Sequence, residues 1–316
     1  MNIWQELEKP FLILAPMEGV TDLAFRQVVA KAGRPDLFYT EFTNVSSYAS
    51  EKGRHNALER LTITEADKPI IAQIWGKNPD HFSELSHALE SLGFAGVDLI
   101  FGCPDKHVNK AGGGAAMIKT PELAVDCYRK VKAATNLPVS IKTRLGFTYV
   151  DEYKTWLPTL LAEHPAALTV HLRTRKEMSK VAAHYELIPE ILKMRAEISP
   201  ETKLIINGDI KDRAAALALH AQYPEIDGFM IGRGVFTNPY CFTGHAATRD
   251  ELMELLNLHL DLYEEHMNLH GLPYEPLKHY YKIYINNFPG ASDLRARLME
   301  THSVAEAREV LREHSA

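Results

Sequence analysis

An alternation constrains this chain more than any other feature. Up to residue 234, short apolar or β-branched runs recur with segments of helical periodicity between them. The runs are "FLILAP" (11–16), "DLFYTEF" (36–42), "PIIAQIWG" (69–76), "GVDLIFGC" (96–103), "PVSIKTRLG" (138–146), "ALTVHLRT" (167–174), "KLIINGDI" (203–210) and "GFMIGRG" (228–234). "NPDHFSELSHALESLG", with Asn78 or Asp80 as cap, and "KTPELAVDCYRKVKAAT", with Pro121 in its first turn, read as helices. Eight such runs predict an α/β fold, a (β/α)8 barrel of the TIM type, with a doubly wound open sheet as the alternative. Nearly every run turns polar at its C-terminal end: Glu41, Gln73, Cys103, Lys142 with Arg144, His171 with Arg173, Asn207 with Asp209, and Arg233. In a barrel those ends surround one pocket, which predicts the active site.

Beyond Arg233 the pattern is helical. "RDELMELLNLHLDLYEEHMNLHG" (249–271) stops at Gly271, and "SVAEAREVLREH" opens with Ser303 and Glu306 at capping-box spacing. The expected division is a barrel domain, 1–243, and a helical domain, 244–316. No apolar run approaches the ~20 residues that span a bilayer. The acidic N-terminal stretch does not read as a secretory signal, so a cytoplasmic protein is expected. A net charge of −6 argues against a generic nucleic-acid coat, so any RNA partner needs a local basic patch. The three cysteines, Cys103, Cys127 and Cys241, are too few and too scattered for a disulfide framework or a metal cluster.

The stretch "GCPDKHVNKAGGG" (102–114) holds Cys103 at a turn between Gly102 and Pro104, then spends three glycines. Those glycines read as a loop small enough for a substrate backbone to pass. Cys103 at a polar strand end is a candidate nucleophile or acid, and an ordinary thiol is protonated at neutral pH. Cys127, inside a helical pattern, reads as core. "NGDI" and "IGRG" end consecutive runs where barrels commonly hold a phosphate; Gly208, Gly232 and Gly234 permit close approach, and Arg233 adds charge. No GxGxxG opens a helix after a strand, so one phosphate of a mononucleotide fits better than a dinucleotide. Lys142 inside an apolar strand needs a negative partner, either the edge of a reduced flavin or a carboxylate such as Glu41 or Glu18. Gln73 and His171 are either hydrogen-bonded core residues or donors to a heterocycle.

These segments, in order, resemble a known family. "LAPMEGVTDLAFR" (14–26), "GCP" followed by "VNKAGGGAAMIK", "VSIKTRLG", "VHLRTR", "IINGDI" and "MIGRG" are similar to the tRNA-dihydrouridine synthases, and "LKHYYKIYINNFPGA" (277–291) resembles their RNA-binding helical domain. The resemblance implies flavin-dependent reduction of uridine in tRNA, with FMN as cofactor and NADPH (or NADH) as reductant. Hydride would pass from reduced FMN to uracil C6 while Cys103 protonates C5. It implies FMN contacts from Pro16, Met17, Glu18, Gln73, Lys142, His171, Asn207, Gly208, Asp209, Gly232 and Arg233. A basic track of Arg173, Arg175, Lys176 and Lys180, with Lys106 and Lys110 on the neighbouring rim, would meet the tRNA backbone. Arg144 and Lys278 are further substrate candidates, Lys278 sharing a helical face with His279 and Lys282. The resemblance implies a monomer.

The chain departs from the family pattern in places. Ile100 stands where most members carry an Asn directed at the flavin, Leu172 and Ala111 replace common glycines, and Phe147 stands where Trp is frequent. Residues 178–188 lack the usual aromatic-glycine and Asp-Trp signature. Two rival readings follow: an FMN barrel acting on a free pyrimidine or another small molecule, and a non-catalytic RNA-binding relative.

Overall fold

The structure, a computed structural model, describes residues 2–315. Its strands are β1 (Phe11–Leu14), β2 (Phe38–Tyr39), β3 (Thr43–Asn44), β4 (Ile70–Trp75), β5 (Gly96–Phe101), β6 (Val139–Arg144), β7 (Ala167–His171), β8 (Lys203–Asn207) and β9 (Gly228–Ile231). All pairings are parallel, in the order β1-β9-β8-β7-β6-β5-β4-β2, with β3 beside β4. Between β1 and the segment leading into β2, Asp36 N donates to Leu12 O (2.9 Å) and Leu14 N to Leu37 O (3.3 Å). Those bonds close the barrel, and the open-sheet alternative is excluded.

Of the expected second strand, 36–42, only Phe38–Tyr39 forms, and β3 follows beyond it. At the break, Thr40 Oγ1 accepts the N–H of Gln73 (3.0 Å), taking the place of a backbone carbonyl in the ladder. Strand alternation then sorts the apolar residues. Phe11, Ile13, Tyr39, Ile71, Ile205 and Met230 fill the barrel interior, while Leu12, Ile70, Leu99, Ile141, Leu168 and Phe229 belong to the layer under the helices. Asn78 is the cap of helix Pro79–Ser91, its Oδ1 accepting from Asp80 N. Pro121 opens helix Pro121–Ala134, where Cys127 is buried.

The tail forms helix Arg249–His270, a short irregular pair covering Glu275–Tyr284, and helices Ala291–Met299 and Val304–Ser315. Thr248 and Glu251 make the capping box of the first, and Gly271 ends it in the left-handed conformation (φ 66°). At the last helix Glu306 reaches back to the N–H of His302 rather than of Ser303. This unit docks on the first βα turn. Tyr280 Oη donates toward Val20 O (2.7 Å), with Asp22 Oδ2 at 3.2 Å and Gly19 O at 3.4 Å. Phe25 packs on Tyr280 and His259 with ring centroids 5.0 and 5.8 Å apart. Among the described residues no helix is long and apolar enough to cross a membrane.

Candidate active site at the barrel mouth

Strand ends from around the barrel deliver side chains to one cavity of about 500 Å3. Its walls include Pro16 and Met17 after β1, Ile100 and Cys103 from β5, Lys142 and Arg144 from β6, His171 and Arg173 from β7, Asn207 to Asp209 after β8, and Gly232 with Arg233 after β9. Most residues singled out in the sequence converge here.

Cys103 is 6% exposed, and its backbone is held from two sides. Its carbonyl accepts from Ala115 N (3.0 Å) and Asn109 Nδ2 (2.9 Å). The glycine run makes this possible by internal packing. A Cβ on Gly114 (φ +58°) would lie 2.9 Å from Cys103 O, and one on Gly113 would lie 2.9 Å from the Trp75 ring. The expectation that these glycines leave room for substrate is therefore corrected: they bring the loop against the cysteine turn. Burial raises the Cys103 thiol above its ordinary range, as does Asp105, against an Asp105 backbone hydrogen bond and the charges of Lys142 and Arg144. The group is a protonated thiol at neutral pH.

Lys142 is buried, and burial first, then Arg144, lowers it to about 8. Among the described residues its Nζ reaches only Asn207 Oδ1, at 3.4 Å, and Asn207 is oriented by its own bond to Met230 O (2.8 Å). The carboxylate alternative does not form. Glu41 instead accepts from Gly19 N (2.6 Å), and Glu18 pairs with Arg60 (2.5 Å) on the wall of a second cavity. Neither Glu18 nor the fully buried Gln73 is among the expected cofactor residues that line the first cavity. Beneath Lys142, Gln73, Asp98 and Ser140 register side by side. Asp98 accepts from Gln73 Nε2 (2.7 Å) and Ser140 Oγ (2.6 Å), and burial raises its carboxyl to about 6. The Gln73 carbonyl Oε1 is left buried without a partner. Asp98 was missed in the sequence, although an acid inside "GVDLIF" was itself a signal.

The other end of the cavity is charged. Asp209 receives Arg173, Arg233 (3.1 Å) and Ala183 N (3.0 Å). Burial would raise this carboxyl, yet Arg173, the Ala183 N–H and Arg233 outweigh it and hold Asp209 below the ordinary range. Gly208 adopts φ +123°, and its carbonyl accepts from Tyr185 Oη (2.6 Å), a second residue unflagged in the sequence. Burial, then Arg144, Lys142, Arg173 and Arg233, keep His171 neutral. Its Nε2 lies 3.3 Å from the Arg173 guanidinium, which assigns the proton to Nδ1.

Two basic residues differ from expectation. Arg173, expected in an exposed track, is 2% exposed because the turn after β7 directs it inward to Asp209 and to Val181 O (2.7 Å). Arg144 is also buried, bonded to the carbonyls of Gly102, Thr174 and Met178. Burial lowers it to about 10, so it stays charged at neutral pH. Lys106 is exposed on helix Lys106–Lys110, and Lys278 donates to Met299 O (3.1 Å) in the tail.

A second, larger cavity of about 710 Å3, also open to solvent, meets the first at Phe42, Cys103 and Pro104. Asn44, Asn56, Arg60, Trp75 and Met178 also line it. The thiol therefore stands on the partition between two spaces.

Residues 13–316 match the model of the dihydrouridine synthase family. The chain belongs to the dihydrouridine synthase family. "Probable tRNA-dihydrouridine synthase 2" of Bacillus subtilis (strain 168) is 50% identical over 312 residues, 98% of this chain and 95% of that one. "Probable tRNA-dihydrouridine synthase" of Staphylococcus aureus (strain COL) is 48% identical over 317 residues, 100% of this chain and 96% of that one. Among solved structures, morphinone reductase aligns with a TM-score of 0.53 at 14% identity, over 76% of this chain and 86% of its own. Histamine dehydrogenase from Rhizobium sp. 4-9 aligns with a TM-score of 0.57 at 13% identity, over 83% of this chain and 50% of its own. These last two likenesses concern the barrel fold.

Within this dihydrouridine synthase the cavity fits a flavin on its own features. A buried ammonium lacks an ion-pair partner among the described residues and a glycine-arginine end suits one phosphate, while below Lys142 the buried Gln73 amide oxygen lacks a donor among the described residues. Ile100 is 5% exposed and packs with Cys103, Val108, Phe42 and Trp75. It gives the cavity an apolar wall beside Cys103.

Proposed function

We propose that this enzyme reduces uridine in tRNA to 5,6-dihydrouridine, using FMN with NADPH or NADH as reductant. A bound flavin supplies the hydride. Lys142 and the Gln73 carbonyl would meet its ring edge, and Gly208, Gly232 and Arg233 its phosphate. Asp209 holds Arg233 in place for that role, while Met17 and Pro16 form the adjoining wall.

The position of Cys103 carries the reading. A substrate base entering from the open cavity meets the thiol on the side away from the polar end of the first cavity. Saturating a pyrimidine 5,6-bond needs a proton at C5. Burial keeps the Cys103 Sγ–H intact until that moment; the S–H bond then breaks as C5–H forms. Lys142 and Arg144 favour the thiolate left behind, which regains its proton from water. A placed acid of this kind contributes about 10²–10⁴ in rate. Arg144 also ties Gly102, and so the cysteine turn, to the loop carrying Met178.

The test is direct. The purified protein, incubated with FMN, NADPH and an unmodified tRNA transcript, should convert uridine to dihydrouridine detectable by mass spectrometry of the digested RNA. Nicotinamide oxidation without any dihydrouridine would contradict the assignment of RNA as substrate.

A further inference from the structure

The rim beside the mouth carries aromatic rings and cations that the chemistry above does not use. Tyr149, in the loop after β6, is 69% exposed. Its ring lies 5.9 Å from Lys176 Nζ, and the neighbouring Phe147 has Lys119 Nζ at 3.8 Å and the Arg175 guanidinium at 5.1 Å. Among the described residues, neither these lysines nor Arg175 makes an ion pair, and Arg175 Nε is buried without a partner. The acids nearby are already engaged. Glu152 accepts the backbone N–H groups of Phe147, Thr148 and Tyr149, Asp151 pairs with Lys154, and Glu177 is held by Thr174 and His184.

The platform is stiff and adjoins the site. Arg175 N donates to Gly146 O (2.8 Å) and Lys176 N to Phe147 O (3.0 Å), which staples the loops after β6 and β7 together. Two residues beyond Lys176, Met178 lines the open cavity that Cys103 borders. A net-negative protein that gathers uncompensated cations around one exposed ring and one half-buried ring presents the pairing that single-stranded nucleic acid recognises, a base on the exposed ring and phosphates on the cations.

We infer that Phe147, Tyr149, Lys119, Arg175 and Lys176 form an accessory contact site for an unpaired stretch of the substrate RNA flanking the nucleotide that enters the mouth. The inference rests on the reading of RNA as substrate. Tyr149 stacks on a base, and Lys119, Arg175 and Lys176 meet the backbone. A cavity of about 250 Å3 between Phe147, Lys119 and Trp156 adds room beside the ring.

The test is equilibrium binding of an unmodified tRNA transcript to the FMN-loaded full chain, across a salt series. Tyr149→Ala should weaken binding roughly 5- to 100-fold, and Tyr149→Phe should restore it, since stacking needs only the ring. The double variant Lys119→Ala, Lys176→Ala should flatten the log–log salt slope by about 0.7 for each cation removed. Flavin absorbance and the rate of flavin reduction by NADPH should match wild type in all three, which shows that the variants are folded. Wild-type binding with unchanged affinity and salt slope in the variants would overturn this inference alone. Failure of the wild type to bind tRNA would overturn the substrate assignment with it.

Discussion

Lys142 is the residue on which the electrostatics of the mouth turns. Burial and Arg144 hold it near 8, so above that pH the empty site carries a neutral amine. A reduced flavin, anionic at its ring edge, raises this value, so binding reduced FMN between pH 8 and 10 should take up a proton. Calorimetry in buffers of different ionisation enthalpy should show that uptake, and Lys142→Met should abolish it. Asp98 acts one layer lower. By gripping the Gln73 NH2 it leaves the Gln73 carbonyl as the free acceptor. Asp98→Leu removes the acceptor that fixes that NH2, so it should weaken FMN binding at least several-fold and shift the flavin absorbance bands; an unchanged spectrum and affinity would remove Asp98 from the cofactor site. Sequence alone showed Lys142 as a charge in an apolar strand. It offered Arg173 both as a strand-end residue at the pocket and as part of a basic run, and could not choose, because inward or outward is decided by the bend after β7.

At the scale of elements, the loops after the strands were legible as punctuation but not as geometry. "GCP" and "GGG" announced a special turn, and the reason emerged only when Gly114 was seen against Cys103 O. Gly114→Ala combines a left-handed φ with that contact and should destabilise the fold by roughly 1–2 kcal/mol, measurable as a lower midpoint in urea. The phosphate loops of β8 and β9 behave differently. Arg233 is mostly exposed and shares Asp209 with Arg173. Arg233→Ala should raise the Kd for FMN about tenfold with little loss of stability, whereas removing the buried Arg173 should cost both. The short second strand was overextended in the sequence reading because "DLFYTEF" is strongly β-prone, while Thr40 interrupts the ladder by a side-chain bond that no propensity encodes.

At the scale of the molecule, the alternation of runs and helices was enough to give the barrel, since eight parallel strands with helical crossovers have few other solutions. The tail was readable as helices, but not how it seats. That depends on Tyr280, whose hydroxyl meets the first βα turn at Val20, Asp22 and Gly19. Tyr280→Phe leaves the Val20 carbonyl without its donor and should cost about 1–3 kcal/mol, seen in thermal unfolding. The same junction positions the helical unit relative to the mouth, so it matters for holding a folded RNA above one reactive thiol. The most direct measurement of the central claim follows the Cys103→Ala variant, loaded with FMN, reduced by NADPH and mixed with unmodified tRNA. With Cys103 as the acid, flavin content and reduction by NADPH stay normal, but reoxidation by tRNA, with dihydrouridine formation, is slowed about 10²–10⁴-fold. Reoxidation and dihydrouridine yield at the wild-type rate would contradict that role.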